Sequence, residues 1–166
     1  DRGAATEVQQ QIVRAAAATI EQLLPQHEPF LAGFITKGRD GGPVELHQDL
    51  TYTDERRYRA MLLWAPLVDV DEGSGALHVV PGSHRWTTGI RPAGVDPQPT
   101  AAHHEALLRR TVTVPLRAGQ ALLYDAALVH GSGRNATDGV RPVVAIATAP
   151  TGADLVHFHQ LADDEL

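Results

Sequence analysis

Residues 120–150, QALLYDAALVHGSGRNATDGVRPVVAIATAP, contain the alternation of apolar runs and turn-forming residues that decides the fold. Apolar runs at 120–124, 127–130 and 141–148 predict strands, because each is short and bounded by turn signals. The glycine-rich stretch Gly131–Gly139 separates the last two. Outward from this stretch, the same reasoning predicts strands near 30–37, 44–49, 59–65, 76–80, 111–116 and 154–159. Many short strands with glycine-rich turns indicate a mainly β sandwich, barrel or jelly roll.

A helix is predicted at residues 6–24, ahead of the strands. Thr6 and Gln9 fit a capping box, and an apolar residue then recurs every fourth position until Pro25. We expect this helix to cover one side of a strand core over about 30–159. Residues 87–110 are interpreted as an insertion, a Pro- and Gly-rich loop followed by a short helical stretch at 101–110. No repeat or boundary interrupts residues 1–166, which predicts a single domain.

Composition narrows the function classes. The chain has 166 residues, a net charge of −6, nine histidines and no cysteine, so thiolate metal ligands, disulfides and thiol catalysis are excluded. The absence of a basic cluster argues against a nucleic-acid partner. No apolar run approaches the ~20 residues of a membrane span, and no signal-peptide pattern opens the chain. We therefore expect a cytoplasmic protein.

Three residues suggest a metal site. His47 and Asp49 are two positions apart in a predicted strand, so their side chains lie on the same side. His130 stands at the junction of an apolar run and a glycine-rich loop, where packing does not call for a histidine. Two histidines and one carboxylate on one face of a metal are the ligand set of non-haem Fe(II) oxygenases. Taken singly, each residue is also common on protein surfaces.

Arg141 suggests a binding site for a carboxylate. It begins an apolar strand just after the loop that follows His130, and a charge there usually has a partner. An antiparallel return of the chain over Gly131–Gly139 would bring Arg141 near His130. Arginine binds a planar carboxylate through two parallel hydrogen bonds.

Together these pieces resemble the phytanoyl-CoA dioxygenase family of Fe(II)- and 2-oxoglutarate-dependent oxygenases. The matching residues extend over roughly 30–150 and comprise His47-Gln48-Asp49, Trp64, Gly73–Leu77, Val80–His84, Gly119-Gln120, His130–Asn135 and Arg141. The resemblance implies a double-stranded β-helix, a form of jelly roll. It also implies iron bound by His47, Asp49 and His130, and 2-oxoglutarate bound by Arg141 with Gln48, Trp64 and Ser132 nearby.

The activity implied by the resemblance is hydroxylation of a small-molecule substrate, with O2 consumed and succinate and CO2 released. Related halogenases replace the carboxylate ligand with a small residue, so Asp49 favours hydroxylation; desaturation or ring formation would need the same residues. One rival is a cupin-type metalloenzyme that does not use 2-oxoglutarate. Another is a non-catalytic ligand-binding domain. His157 and His159 form a weaker candidate metal pair. Because the segment before His47 is short, the pocket could be small, open, or completed by a second copy in a homo-oligomer.

Overall fold

The computed structural model describes residues 2–86, 89–93 and 100–158, and most of the ordered elements are strands. They form two four-stranded antiparallel sheets, ordered β1-β8-β3-β6 and β2-β7-β4-β5. The strands are β1 (His27–Lys37), β2 (Val44–His47), β3 (Met61–Pro66), β4 (Leu77–Val79), β5 (Val112–Val114), β6 (Leu122–Asp125), β7 (His130–Ser132) and β8 (Arg141–Pro150). Helix α1 spans Arg2–Leu23 and α2 spans His104–Leu108; two 3-10 turns cover Ser83–Arg85 and Ala101–His103. The mainly β jelly roll predicted from the sequence is confirmed.

The sheet containing β3 is covered on both faces, and the alternation of strand residues explains how. Leu62 and Trp64 belong to the cluster of buried residues that also contains Tyr124 and Val143. Leu63, between them, belongs to a second cluster with Ile12 and Ile20 of α1. Since successive strand side chains point to opposite faces, one face of this sheet packs on the domain core and the other packs under the helix. The predicted covering role of the helix is confirmed.

The helix starts earlier than predicted. It already includes Arg2 and runs through Thr6, so the predicted N-terminus at residue 6, which depended on a capping box, is wrong. Ala4 and Ala5 are strong helix formers and extend the helix upstream. The C-terminal end, at Leu23, lies one residue from the prediction and just before Pro25.

Strand boundaries around the second half of the sequence also need correction. Residues 127–130 do not form a strand; 126–128 form a turn, and His130 begins β7 instead of ending a strand. Ser83 supports this turn, since its hydroxyl accepts a hydrogen bond from the Val129 backbone N–H at 2.8 Å. Residues 154–158 have no strand partner in the described part of the chain, so the strand predicted at 154–159 is wrong as far as 158; residue 159 is outside the described ranges.

Gly131–Gly139 connects two sheets and does not form the predicted hairpin. Strand β7 belongs to one sheet and β8 to the other, so the two are not hydrogen-bonded neighbours. Asn135 fixes this crossing: it is fully buried, and its amide donates to the carbonyl oxygens of Lys37, Gly38 and Gly139 at 3.2, 3.1 and 2.8 Å. The loop therefore delivers Arg141 to the end of β1, where Lys37 is its register partner.

The predicted insertion at 87–110 is only partly within the described ranges. Its helical end is confirmed, because a 3-10 turn at Ala101–His103 leads into α2. Residues 87–88 and 94–99 are outside those ranges. None of the helices in the described ranges combines the length and apolarity needed to cross a membrane.

Candidate iron and 2-oxoglutarate site

The pairing of β2 with β7 brings the three predicted metal ligands together. His47 and His130 are direct partners in this ladder, with ring centroids 4.4 Å apart. Asp49 follows β2, and its backbone N–H donates to the Ala126 carbonyl oxygen at 3.0 Å. Asp49 Oδ2 lies 3.8 Å from His130 Nε2. One ligand atom from each of the three residues lies within 4.8 Å of the other two, which is the spacing of groups around a single ion.

Backbone carbonyl groups fix both imidazoles in the form a metal requires. His47 Nδ1 lies 2.8 Å from the Glu45 carbonyl oxygen, and His130 Nδ1 lies 3.0 Å from that of Leu128. A carbonyl oxygen only accepts, so each Nδ1 carries a proton, and in the neutral imidazole the lone pair is then on Nε2. Burial lowers the pKa of His130, and His47 contributes in the same direction; Asp49 and the Leu128 carbonyl oppose them. The buried His130 imidazole is therefore held neutral and ready to bind a metal.

Asp49 supplies the direct test of whether a cation fits. Its Oδ2 is buried and has no hydrogen-bond partner in the described part of the chain. A carboxylate oxygen with no donor is costly in a protein interior unless a cation or a ligand satisfies it. An acceptor-only oxygen beside two imidazole lone pairs suits a divalent cation, so the residues present fit the metal that the sequence predicts.

Arg141, the predicted carboxylate-binding residue, is a buried cation with incomplete hydrogen bonding. It is 3% exposed, and neither Nε nor Nη1 has a hydrogen-bond partner among the described residues. Its guanidinium carbon lies 5.3 Å from the centre of the Trp64 ring, so the predicted co-substrate residues Arg141 and Trp64 are in contact. Burial lowers the pKa of Arg141. Two orphaned donors on one guanidinium are the arrangement that an incoming carboxylate satisfies.

Comparison with known proteins agrees with this geometry. The family model described as phytanoyl-CoA dioxygenase (PhyH) matches residues 4–143. The chain belongs to the phytanoyl-CoA dioxygenase family. Peroxisomal phytanoyl-CoA dioxygenase of Mus musculus is 29% identical over 108 residues, which are 60% of this chain and 31% of the mouse protein. The chain thus spans about a third of the length of that relative.

Two solved structures are similar to this chain in three dimensions. The epimerase SnoN in complex with Fe3+, alpha ketoglutarate and nogalamycin RO is 28% identical with a TM-score of 0.63, over 86% of this chain and 57% of SnoN. EvdO2 from Micromonospora carbonacea var. aurantiaca, complexed with 2-oxoglutarate, is 25% identical with a TM-score of 0.60, over 90% of this chain and 61% of EvdO2. Since one of these neighbours is an epimerase, membership of the family does not fix the reaction type.

In this family member a lysine that the sequence interpretation missed lies beside the predicted co-substrate residues. Lys37 ends β1, is 7% exposed and donates from Nζ to Ser132 Oγ at 2.9 Å and to the Gly133 carbonyl oxygen at 2.5 Å. Burial, and secondarily the charge of Arg141, lower the pKa of Lys37 to about 8. One signal was available: Lys37 is the only lysine in the sequence.

Arg91 was also missed, and it joins the segment that contains Asp49 to the loop that follows. Its side chain is 2% exposed. Nε donates to the Asp49 carbonyl oxygen at 2.6 Å, and Nη1 donates to Glu55 Oε2 at 3.0 Å; a second contact links Nη2 to Oε1 of the same carboxylate. The Thr51 backbone N–H also donates to the Arg91 carbonyl oxygen at 3.1 Å. Nothing in the Pro-rich insertion marked this arginine as buried.

A pocket of about 740 Å³ lies next to the Arg91–Glu55 ion pair, and Glu55 is part of its lining. Its wall includes Thr51, two residues after Asp49, and Ala127, three residues before His130. Gln48 supports the wall: it is buried, and its amide donates to the Ala127 carbonyl oxygen at 2.5 Å. The lining includes the exposed apolar side chains of Trp86 and Ile90 and five charged residues, Asp54, Glu55, Arg56, Arg59 and Arg85. Pockets of this volume accommodate small organic molecules.

Proposed function

We propose that the chain is an Fe(II)- and 2-oxoglutarate-dependent oxygenase whose iron is held by His47, Asp49 and His130. The observation that carries the proposal is the convergence of the three ligand atoms within 4.8 Å, with both imidazoles already in the required tautomer. A facial set of three protein ligands leaves open positions for a bidentate 2-oxo acid and for O2. When bound, the iron centre supplies the oxidising chemistry: 2-oxoglutarate loses CO2 and becomes succinate, and the second oxygen atom of O2 is available to the substrate.

The residues around Arg141 are proposed to bind the distal carboxylate of 2-oxoglutarate. Arg141 offers the two orphaned donors, Trp64 packs against its guanidinium, and the Ser132 hydroxyl lies two residues past His130. Gln48 is proposed to contribute to co-substrate binding indirectly. Its amide donates to the Ala127 carbonyl oxygen and so fixes this part of the pocket wall. The donor set suits a dicarboxylic acid, because one carboxylate can reach the metal and the other the buried guanidinium.

The substrate is proposed to be a small molecule that enters the 740 Å³ pocket, whose lining includes Thr51, two residues after Asp49, and Ala127, three residues before His130. Hydroxylation is the proposed outcome, because Asp49 occupies the ligand position that must be vacated for a halide to bind. Arg91 links the pocket to the Asp49 backbone, because it donates to the Asp49 carbonyl oxygen at 2.6 Å and to Glu55 of the pocket lining at 3.0 Å. The epimerase among the structural neighbours makes product analysis the test of this finer point.

The test of the proposed activity measures succinate formed from 2-oxoglutarate in the presence of Fe(II), O2 and a panel of small molecules. We expect His130→Gln to abolish succinate formation, because it removes one of three metal ligands. His27→Gln is the matched control. His27 lies at the opposite end of β1 from Lys37, and in the described part of the chain its ring hydrogen-bonds to the Arg59 carbonyl oxygen. Equal succinate formation by the two variants would refute the proposal.

Two rival functions are separated by the same measurements. A cupin-type metalloenzyme that does not use 2-oxoglutarate would convert its substrate in the absence of the co-substrate and would be insensitive to Arg141→Gln. A non-catalytic binding domain would form no succinate with any candidate substrate but would still bind its ligand. Mass spectrometry of the product distinguishes hydroxylation, a gain of one oxygen atom, from epimerisation, which leaves the mass unchanged.

A further inference from the structure

Lys37 is buried beside another cation, and no carboxylate of the described chain pairs with it. It stands directly opposite Arg141 in the β1–β8 ladder, and the two side chains are 7% and 3% exposed. Like charges directly opposite each other across two strands are destabilising. Two adjacent buried cations are costly, and an anion bound beside them reduces that cost.

The surrounding backbone leaves room for this lysine in particular. A Cβ atom added to Gly41 would lie 2.6 Å from Lys37 Cγ, and one added to Gly75 would lie 3.3 Å from Lys37 Cδ. The lysine stem thus passes between two positions where only glycine fits. Since glycine is the residue that permits such close approach, the packing is specific to a long, unbranched side chain at position 37.

The hydrogen bonds of Lys37 determine what Ser132 can do. An ammonium group only donates, so at 2.9 Å the Ser132 oxygen accepts from Lys37. The hydroxyl proton of Ser132 is then free for another acceptor. Ser132 is 4% exposed, and no second partner for its side chain is found within the described ranges. Lys37 therefore leaves Ser132 as a buried donor, and Lys37 is itself the register partner of Arg141.

We propose that Lys37 is a positioning residue for the co-substrate, which orients the Ser132 hydroxyl toward the distal carboxylate and adds a second positive charge beside Arg141. The inference rests on the proposed 2-oxoglutarate dependence. The distal carboxylate would then receive donors from Arg141 and Ser132, with the Lys37 charge behind them. A 2-oxo acid that lacks the distal carboxylate would gain nothing from Lys37.

The test measures binding to Mn(II)-loaded protein without O2, so that no turnover is needed. 2-Oxoglutarate and 2-oxobutanoate, which lacks the distal carboxylate, are titrated by calorimetry. We expect Lys37→Met to weaken 2-oxoglutarate binding by about tenfold or more, in line with the loss of charge-assisted hydrogen bonds, and to leave 2-oxobutanoate binding within about twofold of wild type. Lys37→Arg should restore part of the loss, and Ser132→Ala combined with Lys37→Met should be less than additive.

An equal loss of binding for both 2-oxo acids would show a merely structural role and overturn the inference, as would unchanged 2-oxoglutarate binding. The Arg141→Gln variant distinguishes a failure of the Lys37 inference from a failure of the proposed function. If that variant binds 2-oxoglutarate more weakly than wild type and Lys37→Met does not, the inference fails and the proposed function stands. If neither variant changes 2-oxoglutarate binding, both fail.

The wild-type protein provides a second measurement that does not depend on the folding of a variant. Lys37 is the only lysine of the chain, so acetylation at this position can be followed by peptide mass spectrometry. We expect 2-oxoglutarate to slow the acetylation of Lys37 in the Mn(II)-loaded protein and 2-oxobutanoate to have no such effect. Equal acetylation rates with both acids would overturn the inference.

Discussion

Arg141→Met is expected to stabilise the protein in the absence of ligands while it removes co-substrate binding. In the folded chain Arg141 keeps two buried donors without partners; each costs about 1–3 kcal/mol. The substitution also loses the contact with Trp64 at 5.3 Å, worth about 0.5–2 kcal/mol. The balance favours the variant by up to about 5 kcal/mol, because methionine fills much of the same space without a charge.

Urea unfolding of the metal-free protein measures this difference. Arg134→Met is the matched control: Arg134 is exposed and pairs with Asp40 at 2.9 Å on the surface, so its loss should change the free energy of unfolding by no more than about 1 kcal/mol. With Mn(II) and 2-oxoglutarate at 100 times the wild-type Kd, the wild-type protein should gain about 2.7 kcal/mol. If Arg141→Met weakens binding a hundredfold, the variant gains only about 0.4 kcal/mol.

Opposite effects on stability and on binding are the diagnostic result. A loss of more than about 1 kcal/mol in the ligand-free Arg141→Met variant would mean that the guanidinium has a stabilising partner in the folded chain, which refutes the argument from orphaned donors. An equal gain from 2-oxoglutarate in both proteins would mean that Arg141 does not bind the co-substrate. Either outcome can be read from the same set of unfolding curves.

Three further predictions concern pH, a buried ion pair and a glycine. Burial and a neighbouring guanidinium lower the pKa of Lys37 from 10.5 to about 8, so the unfolded chain binds more protons between these values; the free energy of unfolding should rise with pH across this window, and Lys37→Met should remove that rise. Arg91→Met should lower the free energy of unfolding, measured with urea, by about 3–5 kcal/mol, because it leaves the Glu55 carboxylate without its partner. The double variant Arg91→Met with Glu55→Leu should recover most of this loss. Gly75→Ala should lower the Tm more than Gly82→Ala: both have φ near +80°, but only at Gly75 would a Cβ meet a backbone oxygen, at 2.9 Å; equal losses would contradict a steric cause.

The parts of the site that follow local periodicity could be predicted from the sequence. His47 and Asp49 were expected to share a side because they are two positions apart in a strand predicted at 44–49. Strand β2 ends at His47, so Asp49 is held instead by its backbone hydrogen bond to Ala126. His130 was identified by its place between an apolar run and a glycine-rich loop. The structure brings all three together, within 4.8 Å. The jelly roll likewise followed from short apolar runs separated by turns. The functional roles assigned to these residues stay predictions.

Long-range contacts account for what the sequence did not reveal. Nothing in the local pattern shows that Gly131–Gly139 crosses between sheets, so the hairpin was predicted and Lys37 was overlooked, although it is the register partner of Arg141. Arg91 was overlooked for the same reason: its partner Glu55 is 36 residues away. A buried cation is recognised by its surroundings, and in both cases those surroundings come from distant parts of the chain.

The buried side-chain atoms without hydrogen-bond partners in the described ranges form two groups of opposite charge. Asp49 Oδ2 lacks a donor, while Arg141 Nε and Nη1 lack acceptors. They do not neutralise each other, so the folded chain bears the cost of both. A divalent cation would satisfy the first and a dicarboxylate the second. In the proposed site the dicarboxylate would also bind the cation, so we expect metal and 2-oxoglutarate to raise each other's affinity by the same factor.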